Sequence, residues 1–244
     1  MAFAKSLVGH VRGDLGMSNV VACTLFGGVS GSPVADVSAM GSVMIPMMKR
    51  EGYHADYAVN VTTHAALVGA LMPTSHNIII YTLAAGGKVS IAALIAAGVI
   101  PALILTLCNL AAAYFVARSR GYPAGTFPGW AIVGRSLVAA TPGLFVVVLI
   151  IAGILSGVFT ATESAAVAVL YALALTIFVY RSLTWDQFVR AASKAVKTTG
   201  VVLLLIGISA TFGYLISFYG VAEKTGELMA SVSTSPWAIF LMVN

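Results

Sequence analysis

The chain has 244 residues, 59% hydrophobic and 9% charged, with a mean hydropathy of +0.98. A soluble domain carries roughly 25% charged residues, so the composition excludes a water-soluble globule and points to an integral membrane protein. The net charge of +5 does not mark a nucleic-acid binder, because the basic residues sit in short gaps between apolar runs rather than forming one patch.

Residues 1–16 contain Lys5, His10, Arg12 and Asp14 and lack the apolar stretch of a cleavable signal, so they read as an amphipathic lead-in at the interface. Two apolar limbs follow, Met17 to Gly27 and Val34 to Met48. Each is too short to cross a hydrocarbon core of about 30 Å at 1.5 Å per residue. A re-entrant helical hairpin is therefore expected, with Gly27-Gly28-Val29-Ser30-Gly31-Ser32-Pro33 at its tip and Lys49, Arg50 and Glu51 at its base. Ala58 to Ala85 is long enough to cross once, but Pro73 lacks an N–H and predicts a discontinuous helix split near mid-depth.

Further spans are expected from Val89 to Ala117, with a kink at Pro101, from Leu137 to Phe159, and from Thr160 to Tyr180. Thr184-Trp185-Asp186-Gln187 has the T-x-x-Q capping pattern and opens an amphipathic surface helix that leads into a span from Thr199 to Phe218. Counting Lys and Arg by side gives eleven against two for a re-entrant first element, with Lys88 and Lys224 in the minority, and nine against four if Met17 to Met48 crosses as one span. The sharper segregation favours the hairpin. The run Trp237 to Asn244 is shorter than a span, and no second copy of the tip or of the break is present. The sequence is thus expected to be part of a longer chain whose second repeat is truncated. The organisation read from this is 1–16 lead-in, 17–86 hairpin plus broken helix as a first repeat, 87–136 span and loop, and 137–244 later helices.

The residues that could carry chemistry gather at the two interruptions. Irregular backbone at membrane depth survives only inside protein or around a polar cavity, so two such breaks suggest a site for a small polar solute or ion. Ser32 is placed to cap the second limb, with Pro33 at its first helical position, which points a helix N-terminus into the interior. Such a terminus favours an anion. The hydroxyls of Ser30 and Ser32 and the freed carbonyls of Gly27 and Gly28 are hard oxygens of the kind a sodium ion accepts. Asp36, one turn into the second limb, is either a functional intramembrane acid or a residue favouring the helix N-terminus. Pro73-Thr74-Ser75-His76-Asn77 groups two hydroxyls, an imidazole and an amide in one crossing. Asn60 and His64 share a helix face, with His64 read as a structural group. Glu163 closes a capping box with Thr160. Cys23 and Cys108 read as packing residues without metal or disulfide spacing. Gly28-Val29-Ser30-Gly31 also matches the G-x-S-G of rhomboid intramembrane proteases, with His64 as a possible base, but a serine in a glycine-rich tip is a poor match to that arrangement.

The stretches GGVSGSPVADVSAMGSVMIPMMKREGY, GALMPTSHNIIIYTLAAGG and GVFTATESAAVAVLYAL together resemble the large, dicarboxylate-type (DctM-like) permease subunit of the tripartite ATP-independent periplasmic (TRAP) transporters. The resemblance implies an all-α polytopic bundle of elevator type, ion-transporter-like and built from inverted repeats. It implies sodium-driven uptake of organic acids delivered by a periplasmic solute-binding protein, a partner small membrane subunit of about four helices, separate or fused, and the bacterial inner membrane with Lys/Arg loops cytoplasmic. No enzymatic activity and no organic cofactor are expected. By position, the sodium site falls on Gly28, Ser30, Gly31, Ser32, Pro73 and Thr74, and the substrate wall on Ser32, Asp36, Thr74, Ser75 and Asn77. The chain departs from the family pattern at Pro33, Thr74 and Ala161. A carboxylate carrier of similar hairpin design that needs no binding protein, coupled to sodium or protons, is the alternative within transport.

Overall fold

A computed structural model describes residues 2–84, 89–232 and 238–239, and every described element is helical. The chain forms two compact units, 1–182 and 183–244. In the first, a short helix α1 (Ala2–Val8) precedes α2 (Asp14–Ser30), and α3 (Pro33–Arg50) runs back beside it after a turn of two residues. Gly31 takes the left-handed conformation that closes α2, with its N–H on the Gly27 carbonyl at 2.9 Å, and Ser32 caps α3 by accepting from the Ala35 N–H at 3.5 Å. Glycine is suited to such a closure because it has no Cβ to clash at positive φ.

The limbs are therefore longer than expected. α2 starts at Asp14 and runs straight through Gly27-Gly28 to Ser30, so residues 14–16 belong to the hairpin and not to the lead-in. Long-range pairing sets this start: the Gly13 N–H donates to the Pro123 carbonyl at 2.9 Å and the Gly125 N–H to Gly9 at 3.1 Å. Tyr53, just past α3, donates its hydroxyl to Asp14 at 2.7 Å, so both limbs begin and end at one charged base.

α4 (Ala55–Ala66) tightens into a 3₁₀ turn over Leu67–Leu71, breaks at Met72 to Ser75, and restarts as α5 (His76–Ala84). α6 (Ile91–Ser119) carries Pro101 inside one unbroken helix. Its C-terminal end is fastened to α4: Tyr57 donates to the Ala113 carbonyl at 3.1 Å, the His54 N–H donates to the Tyr122 hydroxyl at 3.1 Å, and Arg120 makes a bidentate pair with Asp56 at 2.8 and 3.0 Å. Met40, Met44 and Met48 of α3 pack with Val20 and Cys23 of α2, Ala58 and Ala65 of α4 and Ala117 of α6. Lipid is as apolar as these side chains, so close van der Waals fit and buried hydrogen bonds hold such helices together. Asn19 of α2 supplies one such bond, donating to Thr62 of α4 at 2.6 Å.

α7 (Trp130–Leu155) and α8 (Ala161–Ala174) form a second antiparallel pair, and the Tyr171 hydroxyl reaches the Pro142 carbonyl at 3.0 Å. The capping box at Thr160–Glu163 is present. The last turn of the pair widens over Leu175–Val179. In the second unit, α9 (Trp185–Phe218) is one helix of 34 residues, capped by the Thr184–Gln187 box, and α10 (Val221–Val232) follows. The surface helix and the span expected around Thr199 are thus a single element. Among the described residues, four helical stretches are long and apolar enough to cross a membrane: Ile91–Ser119, Trp130–Leu155, Thr162–Val179 and Trp185–Phe218. The molecule is an all-α, multi-pass membrane protein. Cys23 is buried as expected, whereas Cys108 is exposed. Lys88, and the run from 237 to 244 apart from 238–239, lie outside the described residues.

Candidate functional site at the hairpin tip

The two interruptions, more than forty residues apart in sequence, meet in space. The Thr74 hydroxyl donates to the carbonyls of Gly28 at 3.0 Å and Gly27 at 3.3 Å, and so bridges the break to the last turn of α2. Neither carbonyl is as free as the sequence suggested, since Gly27 also receives the Gly31 N–H. A Cβ on Gly31 would collide with the Thr74 carbonyl and lie 2.7 Å from the Ser75 nitrogen, so the tip rests directly on the broken strand of backbone. Gly27 and Gly69 make a second close approach: a Cβ on Gly27 would stand 2.9 Å from the Gly69 Cα. Glycine at 27 lets the two backbones pass at this distance, and glycine at 69 leaves room for the Asp36 carboxylate.

Asp36 closes the site from behind. It has no exposed surface, and its Oδ1 accepts from the Ser30 hydroxyl. Ser30 in turn accepts the Ser32 N–H at 3.2 Å. The other oxygen, Oδ2, is buried without any hydrogen-bond partner. It lies against the backbone of Gly27 and Gly69, where a Cβ on Gly69 would strike it. A buried carboxylate oxygen left unpaired is costly, and a cation is the chemical complement that removes the cost. No ion pair involves Asp36 among the described residues. Asp36 and Ser30 pair at the tip, and Thr74 and the Gly28 carbonyl pair at the break beside it; these are hard oxygens of the type that suits an alkali cation.

The predicted residues do not all converge. Gly28, Ser30, Gly31, Ser32, Asp36, Pro73, Thr74 and Ser75 gather at the tip and break. Ser75 is buried and its hydroxyl accepts the Asn77 N–H at 3.3 Å, which caps the start of α5. Asn77 and His76 themselves are exposed, on the first turn of α5. His64 is exposed, with Nδ1 on the Asn60 carbonyl at 2.8 Å, while Ser30 is engaged with Asp36, so no serine–histidine pair forms. The sequence reading has Gly69 only as the start of the second interruption and not as a site residue. A glycine just before a break was its only local signal, because the group that demands it, the Asp36 carboxylate, is remote in sequence.

The whole chain, residues 1–244, matches the family described as tripartite ATP-independent periplasmic transporter, DctM component. The chain belongs to the DctM family. It is 37% identical over 242 residues to the sialic acid TRAP transporter large permease protein SiaM of Vibrio cholerae, covering 99% of this chain and 56% of that protein. It is 33% identical over 258 residues to the C4-dicarboxylate TRAP transporter large permease protein DctM of Rhodobacter capsulatus, covering 99% and 58%. It is 35% identical over 237 residues to the ectoine/5-hydroxyectoine TRAP transporter large permease protein UehC of Ruegeria pomeroyi, covering 97% and 55%. The chain thus spans little more than half the length of these DctM-family relatives. Membership in a family of transport proteins sets the protease reading aside.

Proposed function

We propose that this chain supplies the ion-binding hairpin of a TRAP-type permease, a sodium-coupled secondary transporter that imports organic acids handed over by a periplasmic solute-binding protein. A small membrane subunit completes the assembly in the inner membrane, with the Lys/Arg-rich loops on the cytoplasmic side. The hairpin enters and leaves the membrane on that side and carries its tip deep into the hydrocarbon core. The cargo is an organic acid, a class that includes the sialic acid and C4-dicarboxylate of two relatives' names. The ectoine relative is about as similar to this chain, so cargo choice is set outside the features these proteins share.

One observation carries the sodium assignment: the fully buried Asp36, whose other oxygen accepts from Ser30, keeps Oδ2 without a partner at the crossing of Gly27 and Gly69. Sodium at this crossing is held by Asp36, Ser30 and the Gly28 carbonyl and draws the tip against the break. The acid then docks on the outer side of the tip, at the N-terminus of α3 with Ser32 and beside Thr74 and Ser75, where the positive end of the helix dipole favours an anion. Movement of the loaded hairpin against the remaining helices gives alternating access.

Uptake by the complete transporter in vesicles, measured against sodium concentration, tests this. Ser30→Ala is expected to raise the sodium concentration for half-maximal uptake about tenfold, roughly the effect of losing one hydrogen bond to a charged group. An unchanged sodium dependence would remove the tip from the ion site.

A further inference from the structure

The first four turns of α9 carry chemistry that transport at the tip does not use. Thr198 to Phe218 contain no charged residue, and at 1.5 Å per residue these 21 positions rise about 31 Å, the thickness of the hydrocarbon core. Lys197 therefore stands at the core boundary, with Lys194 and Arg190 one and two turns farther out. All three fall within about 60° of the helix circumference at 3.6 residues per turn. Lys194 and Lys197 are about 5 Å apart along the axis and fit within the headgroup layer, and Arg190, about 10 Å from Lys197, stands at its outer edge.

On the opposite side lie Trp185, Phe188, Val189, Ala192 and Val196, with Trp185 and Val196 78% and 72% exposed. The Trp185 and Phe188 rings stack at 5.5 Å, on the water side of the basic stripe. Asp186 is matched by Arg190, whereas Lys194 and Lys197 are exposed and have no carboxylate partner among the described residues. The unmatched charges are thus the two nearest the lipid.

We propose that this stripe is a binding site for anionic phospholipid, in which Lys194 and Lys197 hold the headgroup phosphates of the leaflet they face. Charge complementarity and depth both support this occupant: two uncompensated ammonium groups stand at headgroup level on the helix that continues into the core. Anionic lipid headgroups attract juxtamembrane lysines, and the attraction is screened by salt.

The purified protein is reconstituted in phosphatidylcholine vesicles containing trace spin-labelled phosphatidylglycerol or spin-labelled phosphatidylcholine, and the immobilised fraction of each probe is read. The anionic probe is expected to be enriched about threefold or more over the neutral one, and the enrichment to fall as salt rises. Lys194→Gln with Lys197→Gln is expected to bring the two probes close to parity, while Lys49→Gln with Arg50→Gln, at the hairpin base, retains the preference. Equal partition in the wild type, full preference in the α9 variant, or an equal loss in the base variant would each overturn the proposal. Full preference in the α9 variant would instead leave the stripe to an acidic protein segment.

Discussion

Gly31 and Gly52 both adopt positive φ, +61° and +85°, but only Gly31 is also hemmed in by backbone. Gly52→Ala should therefore cost only the left-handed strain, about 1 kcal/mol. Gly31→Ala adds a collision with the Thr74 carbonyl and should lower the thermal midpoint of the purified protein by several times as much. Equal shifts in the two variants would mean that the tip does not press on the break. Asp56, at the charged end and outside the apolar spans, is governed mainly by its hydrogen bonds from Arg120, which pull its carboxyl down to about 2. A carboxyl depressed in the folded state adds stability above its unfolded value near 4, and that stability is lost as pH falls from about 4 to 2. Asp56→Asn should flatten the thermal midpoint over this window, and an unaltered pH profile would show the pair to be inert. These residue effects were only half legible in the sequence. The glycines and Pro73 announce breaks by type alone, but which backbone each glycine must admit depends on a partner forty residues away.

The elements show the same division. Local chemistry predicted the caps, and both T-x-x-E/Q boxes are closed, at Thr160 and Thr184. Thr184→Ala should cost α9 about 1 kcal/mol of cap stability. Amide exchange across the first turn of α9 is then expected to quicken about fivefold, and no change there would mean that the box contributes nothing in solution. Lengths were less legible. α2 passes through Gly27-Gly28 because a helical glycine costs only about 1 kcal/mol relative to alanine, and the close fit of Gly27 against Gly69 offsets that cost. The start of α2 at Asp14 is likewise set by pairing of residues 9–13 with the loop after α6, which no local pattern reveals.

For the whole molecule, hydropathy and the spacing of charges sufficed to show a multi-pass helical protein, and three motifs pointed to its family. The site needed the fold, because the sequence leaves Asp36 open between a functional acid and a helix-start residue until its burial and its unpaired oxygen are seen. With Cys23 and Cys108 replaced, single cysteines at Arg12 and Lys49 should react with an impermeant thiol reagent from the same side of the membrane, as a re-entrant hairpin requires; labelling from opposite sides would make the hairpin a span. The most direct measurement is equilibrium binding of radioactive sodium to the purified complete permease without substrate. Asp36→Asn keeps the size of the side chain but removes its charge, and it is expected to weaken sodium binding at least tenfold while the helical content is unchanged. Wild-type sodium affinity in that variant would contradict the assignment of the tip as the ion site.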